Sequence, residues 1–277
     1  MIHKKIQIWD KGEYNGANPD YKPWIDTYIL NNTSKKTAAV LVLPGGGYSF
    51  CSWREAEPIA VWVNSIGYHA FVLNYSVSPN RHPQPLLDVT RAMCIIRDNA
   101  DQWNIDSDKI AVCGFSAGGH LAASIGTLWN EACLQNVSGM EEGKNKPNAL
   151  ILGYPVISGG KKAHRGSFRM RLGEDATQAE IEEKSLESRV SSVTPKTFIW
   201  STFNDQAVPV ENTLLFSCAL RENNVPFELH IFPDGVHGLS LATKQTDDGN
   251  PKPDNPHVAV WTELCKKWLE HTFFDKD

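Results

Sequence analysis

KIAVCGFSAGGH, at residues 109–120, is the stretch that decides the fold. Its apolar first half, which runs to Phe115, predicts a buried strand, and the small residues from 119 to 129 predict a helix. A serine between glycines at such a junction can occupy a sharp strand-to-helix turn that holds its hydroxyl above the sheet. Ser116 is therefore the candidate nucleophile. A glycine turn that only joins two packed elements is the alternative interpretation.

Strand and helix patterns alternate along the rest of the chain. Strands are predicted at 38–43, 68–75, 110–115, 149–154, 197–202 and 227–232, and helices at 54–65, 83–103, 119–129, 177–187, 210–223 and 257–273. Alternation of apolar strands with helices predicts an α/β fold, with a mostly parallel central sheet that carries helices on both faces. We expect a single domain over 1–277, loops at 131–147 and 243–256, and a small insertion at 158–194 that forms a partial cap.

Composition narrows the class of protein. The 277 residues are 41% hydrophobic and 21% charged, which is ordinary for a globular domain with a sizeable core. A net charge of -5 without a basic stripe argues against a nucleic-acid partner. No apolar run reaches the length of a membrane span, and the N-terminus has no leader pattern. We therefore expect no membrane partner and a cytoplasmic location.

Metal and cofactor sites are not indicated by the sequence. The six cysteines form no Cys-x-x-Cys pair, and the nine histidines show no metal-binding spacing. We therefore expect reduced thiols, no metal and no cofactor. Trp53, Trp129 and Trp200 lie near the motifs, where aromatic faces would suit sugar rings, but we assign them to the core. The oligomeric state is open, and a homodimer is compatible with the sequence.

A serine nucleophile needs a base, and His237 is the best candidate. It lies in FPDGVHG at 232–238, after an apolar strand and a turn, at the strand end where α/β proteins place ligand chemistry. His120 is one helical turn beyond Ser116 and should point along the helix rather than over the hydroxyl. The remaining histidines lie within strands, at helix starts or in polar segments.

The base needs an acid to fix its tautomer, and Asp205 is the best candidate. It follows the strand predicted at 197–202 by three residues, so it can reach a histidine after the next strand. Asp234 is the rival, although its Pro-Asp-Gly context is typical of a turn former. The oxyanion donors are predicted in LPGGGY at 43–48 and at the N–H of Ala117, the residue after the nucleophile.

The order of these parts along the chain is that of α/β-hydrolases: glycine loop, serine, aspartate, histidine. With these residues in place, the sequence resembles the α/β-hydrolase superfamily, and within it the acetyl-xylan-esterase-like and hormone-sensitive-lipase-like esterases. The resemblance covers nearly the whole chain. Its matching pieces are LPGGGY at 43–48, GFSAGGHLA at 114–122, RLGED at 171–175, NDQAVP at 204–209 and PDGVHG at 233–238.

The resemblance implies a role for individual residues. The catalytic triad would consist of Ser116, Asp205 and His237. The N–H groups of the oxyanion hole would come from Gly46, Gly47 and Ala117. Pro44 stands where lipase-like relatives usually have histidine, and Phe115 where they usually have aspartate. Both departures favour the sugar-esterase-like subgroup.

The sequence thus predicts a serine esterase that hydrolyses short acyl esters through an acyl-enzyme. Its expected partner is a small-molecule ester or an acetylated sugar, and removal of acetyl groups from a xylooligosaccharide is the preferred reaction. One alternative is an arylformamidase or a small peptidase with the same triad. A second alternative, from another class, is a catalytically silent hydrolase fold that binds a small ligand.

Overall fold

An eight-stranded sheet forms the centre of the structure. The computed structural model describes residues 1–31, 35–247, 249 and 254–274. The strands are β1 (Lys5–Gln7), β2 (Trp24–Tyr28), β3 (Thr37–Leu43), β4 (His69–Asn74), β5 (Ile105–Phe115), β6 (Ala149–Gly153), β7 (Lys196–Thr202) and β8 (Phe227–Phe232). The helices are α1 (Glu57–Ser65), α2 (Gln84–Asp98), α3 (Ala117–Leu128), α4 (Arg165–Leu172), α5 (Gln178–Glu183), α6 (Glu211–Glu222), α7 (Pro256–Ala259) and α8 (Trp261–Phe274).

The strand order across the sheet is β1-β2-β4-β3-β5-β6-β7-β8. The neighbours from β4 to β8 are all parallel, whereas β1 and β2 extend the sheet with antiparallel pairs. The prediction of a mostly parallel sheet is therefore confirmed. Parallel strands end at one edge of a sheet, so the segments that follow β3, β5, β7 and β8 meet there. These segments carry the glycine loop, Ser116, Asp205 and His237.

The core consists of two apolar layers, one on each face of the sheet. Successive residues of β3 show the division, since Leu41 packs with α2, α3 and α6 on one face and Val42 packs with α1 and α8 on the other. The same alternation runs through β4 to β7, whose residues are nearly all buried apart from 106–109 at the start of β5. Side chains of a strand point alternately to the two faces, so only a strand apolar throughout can be covered by helices on both sides.

Several elements differ from the sequence-based prediction. The antiparallel strands β1 and β2 and the helix α4 were not predicted. The helix predicted at 83–103 ends at Asp98, and the helix predicted at 257–273 is divided into α7 and α8. The helix predicted at 54–65 begins as a 3-10 turn, Trp53–Glu55, before α1. The loop predicted at 243–256 contains another 3-10 turn, Lys244–Thr246, and lies outside the described residues at 248 and 250–253.

The insertion at 158–194 packs against the edge of the sheet where the strands end. It contains α4 and α5, and its buried side chains Phe168 and Ile181 form a small third cluster with Val156 and Val208. Within the described residues, no helix combines the length and the hydropathy that a membrane crossing requires. A single domain and a partial cap stay predictions.

Candidate active site

Ser116 occupies a strained turn between β5 and α3. Its backbone angles are φ 52° and ψ -119°, a combination that a non-glycine residue rarely adopts and that surrounding structure must hold in place. The holding contacts come from β6 and its following loop: the Ser116 N–H donates to Gly153 O at 3.0 Å, and the Ser116 carbonyl accepts from the Val156 N–H at 3.0 Å. The strain lifts the side chain above the sheet edge, where it is 7% exposed.

The glycines around Ser116 are required by close backbone approach. A Cβ at Gly114 would lie 2.1 Å from the carbonyl oxygen of Gly118, and one at Gly118 would lie 2.0 Å from the carbonyl oxygen of Leu43. Neither backbone can move away without breaking the junction of strand and helix. The small residues that mark this turn in the sequence are therefore a steric condition for its shape.

A line of two hydrogen bonds joins Ser116, His237 and Asp205. The Ser116 Oγ lies 2.8 Å from His237 Nε2, and His237 Nδ1 lies 2.7 Å from Asp205 Oδ2. An ionised carboxylate can only accept hydrogen bonds, so Nδ1 carries the ring proton and Nε2 accepts from the serine hydroxyl. In this tautomer the imidazole is ready to take a proton from Ser116.

Hydrogen bonds within the surrounding loops hold the side chain of Asp205 and the segment that carries His237. Asp205 is 5% exposed, and its Oδ1 accepts from the N–H groups of Ala207 and Val208, each at 2.9 Å, which leaves Oδ2 for His237. The loop that carries His237 is bound to the loop after β7, because the Gly235 N–H donates to Asn204 Oδ1 at 2.9 Å. This hydrogen bond connects the loop that carries Asp205 with the loop that carries His237.

The glycine loop lies beside the nucleophile. Gly46 and Gly47 have φ values of 125° and 63°, and a Cβ at Gly45 would lie 3.0 Å from the Ser116 Cβ. Over the described residues, no acceptor pairs with the N–H groups of Gly46, Gly47 or Ala117. Backbone donors in this position, beside the Ser116 hydroxyl, can stabilise a negatively charged oxygen.

The rejected candidates lie elsewhere. His120 is buried in α3, where its backbone N–H donates to the Ser116 carbonyl at 3.0 Å. Its ring bonds through Nδ1 to the hydroxyl of Tyr48, the last residue of the glycine loop, at 2.8 Å, and so supports that loop rather than the Ser116 hydroxyl. Asp234 accepts from Asn204 Nδ2 at 3.0 Å within the turn predicted for it. Of the three tryptophans assigned to the core, Trp200 is fully buried and Trp129 half-buried, whereas Trp53 is 56% exposed and that assignment was wrong.

The insertion reaches the site through the start of α4. His164 bonds through Nδ1 to Ser167 Oγ at 2.8 Å, and that oxygen lies 3.9 Å from the position of a Cβ on Gly47. Burial lowers the pKa of His164, the nearby charge of His237 lowers it further, and Asp205 acts in the opposite direction. Side chains from 158–194 therefore line the space around the glycine loop and His237.

Sequence reasoning missed two buried residues of the site, Glu55 and Tyr154. The Glu55 carboxylate accepts from the Gly45 N–H at 2.7 Å and from the Tyr154 hydroxyl at 2.6 Å. The Tyr154 ring packs edge-on against the His237 imidazole, with 5.0 Å between ring centroids. Burial raises the pKa of Tyr154 well above its usual range, and the negative charge of Glu55 adds to this, so the hydroxyl keeps its proton.

Comparison with known proteins places this geometry in a family. The family model BD-FAE matches residues 25–220, which is well over half of the chain. The chain belongs to the BD-FAE family. A solved structure with the same fold is the acetyl ester-xyloside bifunctional hydrolase of Caldicellulosiruptor lactoaceticus, at 43% identity and a TM-score of 0.85, over 99% of this chain and 97% of that one. The prediction of an α/β-hydrolase fold is confirmed.

Two relatives of this BD-FAE member are longer proteins. The endo-1,4-beta-xylanase B of Butyrivibrio fibrisolvens is 40% identical over 87% of this chain and 39% of its own length. The acetylxylan esterase of Xylanibacter ruminicola is 34% identical over 81% of this chain and 45% of its own length. The chain therefore spans less than half the length of either relative.

Proposed function

We propose that this BD-FAE member is a serine esterase that removes short acyl groups, above all acetyl, from a carbohydrate such as a xylooligosaccharide. The observation that carries the proposal is the unbroken hydrogen-bonded line from Ser116 through His237 to Asp205, with free backbone donors beside the serine. A catalytically silent hydrolase fold has no need to keep this tautomer-setting arrangement complete.

The proposed reaction passes through an acyl-enzyme. The Ser116 Oγ attacks the ester carbonyl as its proton moves to His237 Nε2, and Asp205 stabilises the resulting imidazolium. The negative charge on the former carbonyl oxygen is stabilised by the N–H groups of Ala117 and the glycine loop. His237 then gives its proton to the departing alcohol. In the second half, His237 takes a proton from water as the water oxygen attacks the acyl carbon. His237 then gives this proton to Ser116 Oγ as the bond between Oγ and the acyl carbon breaks, which releases the acid and restores the free serine.

The choice of a sugar ester rests on the relatives and on the rim of the site. The relatives named above are a xylanase, an acetylxylan esterase and an acetyl ester-xyloside hydrolase. Three aromatic side chains in segments next to the site are largely exposed: Phe50 (60%), Trp53 (56%) and Phe203 (68%). Exposed aromatic faces suit the apolar faces of sugar rings. We also propose that 158–194 is the partial cap that shapes the acyl side.

Substrate profiling tests this proposal. We expect hydrolysis of p-nitrophenyl acetate and of acetylated xylooligosaccharide, and much weaker activity on longer acyl chains. N-formylkynurenine and an aminoacyl anilide serve as the comparison substrates for arylformamidase and peptidase activity. Ser116→Ala and His237→Ala should each remove the activity, and a Ser116→Ala protein with wild-type turnover would refute the proposal. The cytoplasmic location and the homodimer stay predictions, which cell fractionation and light scattering test.

A further inference from the structure

Glu55 is a buried carboxylate that the proposed reaction does not use. Its residue is 4% exposed, and among the described residues no basic side chain forms an ion pair with it. A buried carboxylate without a cation is costly unless hydrogen bonds satisfy it. Here both oxygens are satisfied, Oε2 by the Gly45 N–H at 2.7 Å and Oε1 by the Tyr154 hydroxyl at 2.6 Å.

On one side, Glu55 holds the peptide that leads into the glycine loop. The N–H of Gly45 and the carbonyl of Pro44 belong to the same peptide group. Glu55 binds the N–H, and the Tyr75 hydroxyl donates to the carbonyl at 2.6 Å from the opposite side. Both polar atoms of this peptide are therefore fixed, which sets the direction in which the chain enters the loop.

On the other side, Glu55 holds the segment that follows His237. The Tyr154 hydroxyl donates to Glu55 and accepts from the Ser240 N–H at 2.9 Å, three residues beyond His237. The Ser240 side chain donates in turn to the carbonyl of Arg54, the residue before Glu55. Tyr154 also packs its ring edge-on against His237. The two sides of the site therefore meet at one carboxylate.

We propose that Glu55 is a positioning residue that holds the oxyanion loop and the His237 loop in register with Ser116. The proposal rests on the proposed esterase function. A carboxylate fits this position because the Gly45 N–H and the Tyr154 hydroxyl both donate to it. A glutamine can offer its oxygen to only one of them and must turn its NH2 group toward the other. Glu55→Gln therefore keeps the size of the side chain and deprives either the Gly45 N–H or the Tyr154 O–H of its acceptor.

The test compares three folded variants in p-nitrophenyl acetate hydrolysis. Glu55→Gln should lower kcat by about tenfold or more with little change in KM, because a displaced oxyanion loop costs the transition state more than the bound ester. Affinity for a boronic acid, which forms a tetrahedral adduct on serine, should fall by the same factor. Tyr154→Phe, which deletes the shared hydroxyl, should act in the same direction. Both substitutions act on the same connection between the two loops, so the double variant Glu55→Gln/Tyr154→Phe should be no slower than the slower single variant.

Asp88→Asn is the matched control. Asp88 is also buried and accepts hydrogen bonds from Trp9 Nε1, the Ser76 N–H and Gln84 Nε2, none of which belongs to a loop that carries the proposed triad. The Asp88→Asn variant should have a lower melting temperature than the wild type and an unchanged kcat. A merely structural role for Glu55 predicts the same result for Glu55→Gln as for this control.

The outcomes separate the two proposals. An active wild type, an inactive Ser116→Ala and a folded Glu55→Gln with wild-type kcat would overturn the role of Glu55 alone. If Glu55→Gln does not fold, Tyr154→Phe decides the question, and an unchanged kcat there overturns the proposal. An inactive wild type, or an active Ser116→Ala, would instead refute the esterase function.

Discussion

Asp205→Asn is the sharpest perturbation that the site offers. The substitution keeps the size of the side chain, and the remaining carbonyl oxygen can still accept from the N–H groups of Ala207 and Val208. The loop after β7 should therefore keep its shape. The atom that now faces His237 Nδ1 is an NH2 group, which donates, so Nδ1 must give up its proton and accept.

The consequence follows from the tautomer. The ring proton moves to Nε2, which lies 2.8 Å from the Ser116 Oγ and can no longer accept the hydroxyl proton. Loss of the general base by this route costs about 10⁴-fold in kcat in a serine triad, or about 5.4 kcal/mol of transition-state stabilisation. Folding stability should change much less, by about 1 kcal/mol, because one buried hydrogen bond is altered and two are kept.

Steady-state hydrolysis of p-nitrophenyl acetate at neutral pH measures this loss, and urea unfolding measures the stability. Asp234→Asn is the control, because Asp234 lies on the neighbouring turn and bonds only to Asn204 among the contacts described for its side chain. It should leave kcat unchanged. A folded Asp205→Asn protein that keeps more than about a tenth of the wild-type kcat would refute the tautomer argument.

Three further predictions follow from packing and titration. Gly114→Ala should destabilise the protein by about 3 kcal/mol in urea unfolding, because its Cβ would lie 2.1 Å from the Gly118 carbonyl oxygen; unchanged stability would contradict the steric account of the turn. Burial and, to a smaller extent, the charge of Arg171 lower the pKa of His82 from 6.5 to about 3. Between these two pH values the unfolded state binds more protons than the folded state, so the stability of the protein should fall as pH drops from 6.5 toward 3. The fall in stability with pH should be shallower in His82→Gln than in the wild type. Equal slopes in the two proteins would exclude a contribution of His82. Iodoacetamide should alkylate the exposed Cys133 and Cys218 of the native protein without loss of esterase activity, as measured by peptide mass and turnover; inactivation would indicate a thiol in the reaction.

Much of the architecture could be predicted because its signals are local. The strands β3 to β7 contain short apolar runs between turn residues, and both layers of the core follow from these runs. The last strand, β8, differs because Glu228 and His230 give it one polar face. Ser116 could be found because its turn needs small residues at fixed places. Asp205 and His237 could be placed because each follows a parallel strand at the edge where Ser116 lies.

The elements that were not predicted lack such signals. The strand β1 has only three residues, which is too few to establish a period, and β2 carries Asp26 and Thr27 in its short run. Neither is recognisable as a strand without its partner, which is β2 for β1 and β4 for β2. The helix α4 has three arginines in eight residues and resembles a polar loop. Its buried Arg171 accounts for the difference, because the guanidinium donates to His82 Nδ1 inside the protein.

Glu55 shows why the site itself could be predicted only in part. In the sequence it belongs to WREAE, where a glutamate at the start of a helix is normally exposed. Its burial depends on Tyr154, which is 99 residues away along the chain. Contacts of this kind leave no periodicity in either segment. The proposed reacting groups can therefore be named from motifs, whereas long-range contacts such as that of Glu55 with Tyr154 require the structure.

The central claim is that the Ser116 hydroxyl becomes covalently acylated during turnover. The most direct measurement is an acid quench in the first turnover with p-nitrophenyl acetate, followed by mass spectrometry of the peptide that contains Ser116. The account predicts one acetyl group on Ser116. The acetylated peptide should be absent from Ser116→Ala and should accumulate when the attack of water is slowed. Turnover without acetyl on Ser116 at any time, or acetyl on another residue that forms and decays at the turnover rate, would contradict it.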